Sequence, residues 1–293
     1  MNDEIVIAQA LNGQVRIHAA RTTKMCDDAR IAHHCMATSA AALGRVMTVT
    51  AIMASDLKNE NERITSVING GGPAGTIIVQ AYGNGDVRGF IGDPNLYLVR
   101  EDGHLAVGQA VGTKGTLTVT RDMGLKEPFR GVTELQTGEI GDDFTYYFAI
   151  SEQTPSAVGV GVLVAPEGHI RAAGGLIYQL MPGASEETIE FCENIAKTQR
   201  PVSELIDSGK DLREIIHMYF PDAEIQDARD VRFHCRCSRQ TVRGALAVLK
   251  KADLEEMIHD NKGAEVHCQY CNTLYTFTTD ELKQILEERD ENR

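Results

Sequence analysis

Four cysteines near the C-terminus carry the strongest chemical signal in this sequence. They stand as Cys235-Arg236-Cys237 and, after a gap of 30 residues, Cys268-Gln269-Tyr270-Cys271. Zn2+ favours four soft ligands in a tetrahedron with arms of about 2.3 Å, and two paired thiolate knuckles brought together by a hairpin supply that set. We therefore expect one zinc ion per chain, held by Cys235, Cys237, Cys268 and Cys271. Four thiolates leave no position open for water or substrate, so the expected site is closed and not hydrolytic.

A closed thiolate shell usually does no more than staple a small domain, but two features here point to lability. In an extended strand alternate Cα atoms lie about 6.5–7 Å apart, at or beyond the comfortable span of a disulfide. A Cys235–Cys237 bridge would need a local bend and would close a strained ring, and strained disulfides are the labile, regulatory kind. Arg232, Arg236, Arg239, Arg243, Lys250 and Lys251 also crowd the first knuckle. Positive charge and metal both favour the thiolate, the form that oxidants attack. Zinc binding is worth about 10–16 kcal/mol in small zinc peptides, and that free energy is folding free energy. Oxidising the ligands should therefore release the metal, unfold the domain and loosen what packs on it. Among the pairings open to four cysteines, Cys235 with Cys237 and Cys268 with Cys271 demand the least chain rearrangement.

The elements around these residues divide the chain in three. Residues 1–180 read as an α+β core, rich in β-structure and mostly antiparallel. Ile5–Ile7 and Val15–Ile17 flank Asn12-Gly13, a dipeptide suited to the positive φ angles of a type I′ hairpin turn. A helix is expected from Cys26 to Ser55, apolar nearly all round and therefore buried. Strands are expected over Ile64–Asn69, Thr76–Tyr82, Asp86–Ile91, Gly115–Thr120, Tyr146–Ile150 and Val158–Val164. In the last of these, Gly159 and Gly161 share one face. A weakened or bulged strand is the preferred account; close approach of a covering helix is the sharper one.

Residues 181–230 read as a helical linker. Between Ser185 and Asp230 twelve acids face five bases, and the pattern suggests short amphipathic helices that need a partner surface. Ser185 caps the first, Pro201 starts the second, and Leu212, Ile215, Ile216 and Tyr219 stripe a third that Pro221 ends. Residues 231–293 form the small cysteine domain. Val231–Phe233 is strand-like, Thr241–Leu249 and Asp253–His259 are helical, and Glu265–Cys268 with Leu274–Phe277 suggest a hairpin. Thr278 and Glu281 form a capping box for a last helix.

With these elements in order, the chain resembles the redox-regulated heat-shock holdase chaperones of bacteria. The resemblance rests on Phe233-His234-Cys235-Arg236-Cys237-Ser238-Arg239, on His267-Cys268-Gln269-Tyr270-Cys271 followed by Thr273-Leu274-Tyr275-Thr276-Phe277, and on Ser151-Glu152-Gln153-Thr154-Pro155. It spans essentially the whole chain, with all four cysteines at the family's spacing. It implies an ATP-independent chaperone that is not an enzyme and rests reduced and zinc-bound. It further implies that oxidation to two adjacent disulfides, Cys235–Cys237 and Cys268–Cys271, unfolds the cysteine domain and linker. Homodimers would then hold unfolding client proteins. No client-binding residue can be assigned from the sequence.

Other readings weigh less. No stretch approaches about 18 uninterrupted apolar residues, so no membrane span is expected. Acids follow Met1 where a signal peptide carries positive charge, and we expect a cytoplasmic protein whose seven cysteines are no standing disulfide framework. A net charge of -13 opposes nucleic acid as a general partner. A zinc ribbon binding nucleic acid or ribosome through its basic face is the alternative function. An enzyme ranks last, because no nucleophile–base pair or phosphate loop stands out. Gly70-Gly71-Gly72-Pro73-Ala74-Gly75 lacks the Lys-Ser/Thr ending of a P-loop, and Gly83–Gly89 has the wrong spacing for a dinucleotide fingerprint. Cys26, Cys35 and Cys192 read as structural thiols. His33 and His34 read as part of a helix face, and His234 and His267 as neighbours of the ligands and not as ligands.

Overall fold

A computed structural model describes residues 2–291; Met1, Asn292 and Arg293, which fall in the first and last expected segments, lie outside the described residues. Positive φ at Leu11 (53°) and Asn12 (54°) folds the chain back on itself. The Gly13 amide closes this turn on the Ala10 carbonyl at 3.1 Å. Strands β1 (Glu4–Ala10) and β2 (Val15–Arg21) run antiparallel from it. The turn is centred on Leu11-Asn12, one residue before the predicted pair.

The long helix expected over Cys26–Ser55 is two, α1 (Thr23–His33) and α2 (Ala37–Ala54). His34 breaks it by adopting a left-handed conformation (φ 53°) that ends α1. In α2, 16 of 18 residues are buried. By length and composition alone it would suffice to cross a membrane, but 89% of it is buried inside the protein, which makes it a core helix.

Then follow β3 (Arg63–Asn69), β4 (Ile77–Tyr82), β5 (Asp86–Ile91), α3 (Val107–Val111), β6 (Thr116–Asp122) and β7 (Phe129–Glu134). The predicted strand over Tyr146–Ile150 is instead the end of helix α4 (Gly141–Ile150). Its aromatic residues have high β-propensity, but Phe144, Tyr147 and Phe148 are buried at helical spacing. Asp143 secures the helix start, its carboxylate accepting from the amides of Gln136 (2.7 Å), Thr137 and Ile140 (both 3.1 Å). Strands β8 (Ser156–Val164) and β9 (Ile170–Leu180) come next. Strand β9 was not expected, because its Ala-Ala-Gly-Gly centre is poor in β-formers.

Helices α5 (Glu186–Thr198), α6 (Val202–Asp207) and α7 (Leu212–Tyr219) lie where expected. The Ser185 hydroxyl caps α5 by accepting from the Thr188 amide at 3.3 Å. The stretch is not helical to its end, however. Residues Glu224–Asp230 form strand β10, which pairs antiparallel with β1. Its polar sequence carries little strand signal; the free edge of β1 decides its state. Strand β11 (Arg232–Phe233) follows.

Two sheets result, one ordered β10-β1-β2-β9-β8 and the other β11-β5-β4-β3-β6-β7. Pairing is antiparallel except between β11 and β5. Helix α2 packs on β3, β4 and β5 of one sheet and on β2, β8 and β9 of the other. The opposite face of the five-stranded sheet, including Val6, Ile17, Leu176 and Tyr178, is covered by Ile195, Leu205, Ile215 and Phe220 of the helical segment. The glycine pair in β8 is regularly paired with β9, so it makes no bulge, and the close approach of a covering helix is what the structure shows. A Cβ on Gly161 would lie 2.4 Å from the Ser203 hydroxyl, so the glycine face admits α6 at close range.

Contacts divide the chain into a first unit ending at His234 and a second beginning at Cys235. The second contains α8 (Arg239–Ala247), α9 (Lys251–His259), β12 (Ala264–His267), β13 (Leu274–Phe277) and α10 (Thr279–Glu291). Among the described residues its core is small: Val242, Leu246, Leu254, Ala264, Phe277, Leu282 and Ile285. The predicted capping box is present, with the Thr278 amide donating to the Glu281 carboxylate at 2.8 Å. The whole is α+β.

Candidate metal centre

The second knuckle is built by a hairpin. Strands β12 and β13 pair antiparallel with His267 opposite Leu274, so the chain must reverse between them. Asn272 (φ 58°) makes that reversal, donating its amide to the Cys268 carbonyl at 2.7 Å. The Cys268 amide in turn donates to the Thr273 carbonyl at 3.0 Å. These bonds fix Cys268 and Cys271 on one tight loop. The first knuckle is the short segment before α8, which Ser238 caps by accepting from the Thr241 amide at 3.1 Å.

The two knuckles converge. All four Sγ atoms lie within 4.8 Å of one another, and all four residues are half-buried. Cys235 and Cys268 sulfurs are 3.8 Å apart, and those of Cys237 and Cys271 are 3.4 Å apart. A tetrahedron with arms of about 2.3 Å has edges of about 3.8 Å, so the spacing suits four thiolates around one metal ion. Every sequence-predicted ligand is thus brought to one place.

Hydroxyl groups that the sequence reading did not single out touch this cluster. The Tyr275 Oη lies 3.1 Å from the Cys237 sulfur, and the Thr273 Oγ1 lies 3.2 Å from that of Cys271. Tyr275 lies in β13 and Thr273 just before it, two residues apart, and that spacing was the available signal. Without metal the thiols differ. Burial opposes ionisation of Cys271, yet hydrogen bonds from Thr273 and the neighbouring cysteines bring it down to about 7. Burial pushes Cys237 up to about 12, with crowding by the other sulfurs adding to it against the Tyr275 hydrogen bond. Cys268 is raised as well, burial again leading.

Of the six basic residues, Arg232, Arg239 and Arg243 are engaged with partners other than the sulfurs. Arg239 stacks 4.4 Å from the Phe277 ring centroid and pairs with Glu281 at 2.7 Å. Arg243 pairs with Glu288 at 2.7 Å, and Arg232, in the first unit, with Asp86 at 2.8 Å. These side chains hold structure, and local hydroxyl and amide donors tune the sulfurs instead. His267 is exposed on β12 and does not join the cluster. The other three cysteines are buried in the first unit and do not belong to the cluster. Burial pushes Cys26 and Cys35 up to about 12 and Cys192 to about 11.

Fold and site together define an α+β protein whose second unit is organised around four convergent thiols. The sequence pattern of the Hsp33 protein family matches residues 3–278. A 33 kDa chaperonin of Bacillus cytotoxicus is 45% identical over 98% of this chain and 99% of its own length. One from Bacillus mycoides is 43% identical over the same shares. The crystal structure of the 33 kDa chaperonin of Thermotoga maritima superposes with a TM-score of 0.91 at 32% identity, covering 99% of this chain and all of the other. The chain belongs to the Hsp33 chaperone family.

Proposed function

We propose that this chain is an ATP-independent holdase whose capture of unfolding client proteins is switched on by oxidation. In the reduced state, Cys235, Cys237, Cys268 and Cys271 would hold one zinc ion as thiolates. Bound there, zinc would supply folding free energy and no catalytic step. The observation that carries this reading is the convergence of four sulfurs in a unit whose apolar core is only seven side chains among the described residues. A core of that size rarely holds a domain by itself, so the ligand set matters to folding.

Hydrogen peroxide would oxidise the thiolates. One thiolate attacks a peroxide oxygen, the O–O bond breaks, and a sulfenic acid forms while the departing hydroxide takes a proton from solvent to give water. The neighbouring thiolate then displaces the sulfenic hydroxyl as hydroxide, which solvent protonates to a second water, closing the disulfide. Cys235 would join Cys237 and Cys268 would join Cys271, which removes all four ligands. The second unit would then unfold. Loosening of α5–α7 along with it would uncover the sheet face around Val6, Ile17 and Leu176, apolar surface of the kind a client needs. The oxidised, working form would be a homodimer, and in a reducing cytoplasm the chain would rest in its zinc-bound state.

The test is an oxidation series on the full chain. Zinc released to a chromogenic chelator, remaining thiols, and suppression of aggregation of a heat-unfolding client are followed together. We expect one zinc lost and two disulfides formed per chain, with holdase activity rising in step. Retention of zinc by the oxidised protein, or its loss without gain of activity, would overturn the proposal.

A further inference from the structure

The Tyr275 hydroxyl approaches the Cys237 sulfur at 3.1 Å, and the Thr273 hydroxyl approaches that of Cys271 at 3.2 Å. A hydroxyl therefore touches a sulfur of each knuckle. Between a thiol and a hydroxyl either group can donate. A thiolate has no proton, so once the sulfurs act as ligands both hydroxyls must be the donors. We propose that Tyr275 and Thr273 are positioning residues that restrain oxidation of the thiolate cluster and so set the oxidant level at which it opens. This inference rests on the zinc-thiolate reading above.

The physical reason is electron density. A hydrogen bond donated to a thiolate draws charge off sulfur, and a less basic sulfur is a weaker nucleophile. The first oxidation step is attack of that sulfur on a peroxide oxygen, with the sulfur oxidised to a sulfenic acid and the peroxide reduced to water. Weakening the nucleophile slows this step while leaving the ligand set intact. Partners of this kind around metal ligands commonly orient and tune them. Tyr275 should matter more, because it is half-buried and its ring packs on the core of the second unit, whereas Thr273 is exposed and its hydrogen bond competes with water.

Tyr275→Phe removes the oxygen and keeps the ring in its packing. Thr273→Val removes the other hydroxyl at nearly constant shape, and Thr273→Ser restores it. The full-length variants are loaded with zinc and exposed to hydrogen peroxide, and the rate of metal release to a chelator is measured. A parallel set is loaded with Co2+, whose sulfur-to-metal charge-transfer band reports electron density on the ligands independently of any chaperone activity.

We expect Tyr275→Phe to release zinc about three- to tenfold faster and to move the charge-transfer band to lower energy. Thr273→Val should shift both readouts the same way by less, and Thr273→Ser should return them to those of the parent chain. Unchanged rate and band in Tyr275→Phe and Thr273→Val, on a parent chain that binds both metals, would overturn this inference alone. A parent chain that takes up neither metal would overturn the zinc reading beneath it as well.

Discussion

Cys26, Cys35 and Cys192 in the first unit are buried, and burial keeps their thiols protonated, at about 12, 12 and 11. Four cysteines in the second unit sit half-buried, close together and beside hydroxyl donors, and one of them falls to about 7. The same residue type is thus inert packing in one unit and chemistry in the other. The cores differ in the same sense. The first unit wraps two sheets around a helix that is almost wholly buried, while the second has few apolar side chains to bury. One unit is held by hydrophobic burial; the other, on the function proposed above, would lean on its sulfurs.

The sharpest way to break this comparison is to remove the sulfurs' contribution. On the proposed zinc reading, chelating the metal should cost the second unit about 10 kcal/mol or more, and Cys268→Ser should destabilise it in the same direction by less. Hydrogen exchange read by mass spectrometry would show amides of α8–α10 losing protection while those of α2 keep it. Persistent protection in α8–α10 would show that the small core suffices. The reciprocal change is Met47→Ala in α2, where the side chain is fully buried. It should destabilise the first unit by about 2–5 kcal/mol, lowering its thermal midpoint with no change in metal affinity.

A smaller effect should follow from Gly161→Val. Its new side chain would collide with Ser203, at a cost of about 1–3 kcal/mol. Exchange should rise first in α5–α7 and not in α2; a uniform rise would show that the helical segment and the sheets are one cooperative block. The smallest effect concerns acid. Burial opposes ionisation of Asp56, but its hydrogen bond to His18 (3.1 Å) and the nearby Arg16 hold its carboxyl below the ordinary 3.8. A depressed native value contributes stability that is present above 3.8 and is lost as pH falls through the lower native value. Urea midpoints between pH 5 and pH 2 should therefore fall more steeply for the parent chain than for Asp56→Asn, and parallel curves would contradict this.

Much of the site was legible because its determinants are local. The two cysteine pairs, the hairpin that carries the second, and the Thr278–Glu281 cap each depend on neighbours a few residues away. The convergence itself followed from the ligand chemistry. The surroundings did not follow. Arg239 and Arg243 near Cys235 read as a field on the sulfurs, but their partners, Glu281 and Glu288, come from α10, far along the chain.

The same division holds for the fold. Short-range patterning determined most strands, the linker helices and the α+β class, because side-chain period and turn chemistry act within a few residues. Tertiary structure alone decided that the aromatic stretch after Asp142 is a helix and that polar Glu224–Asp230 is a strand. It also decided that Gly161 marks the close passage of α6 rather than a weak strand. In each case the deciding partner is remote in sequence, and burial against it outweighs a local preference of a few tenths to about 1 kcal/mol per residue.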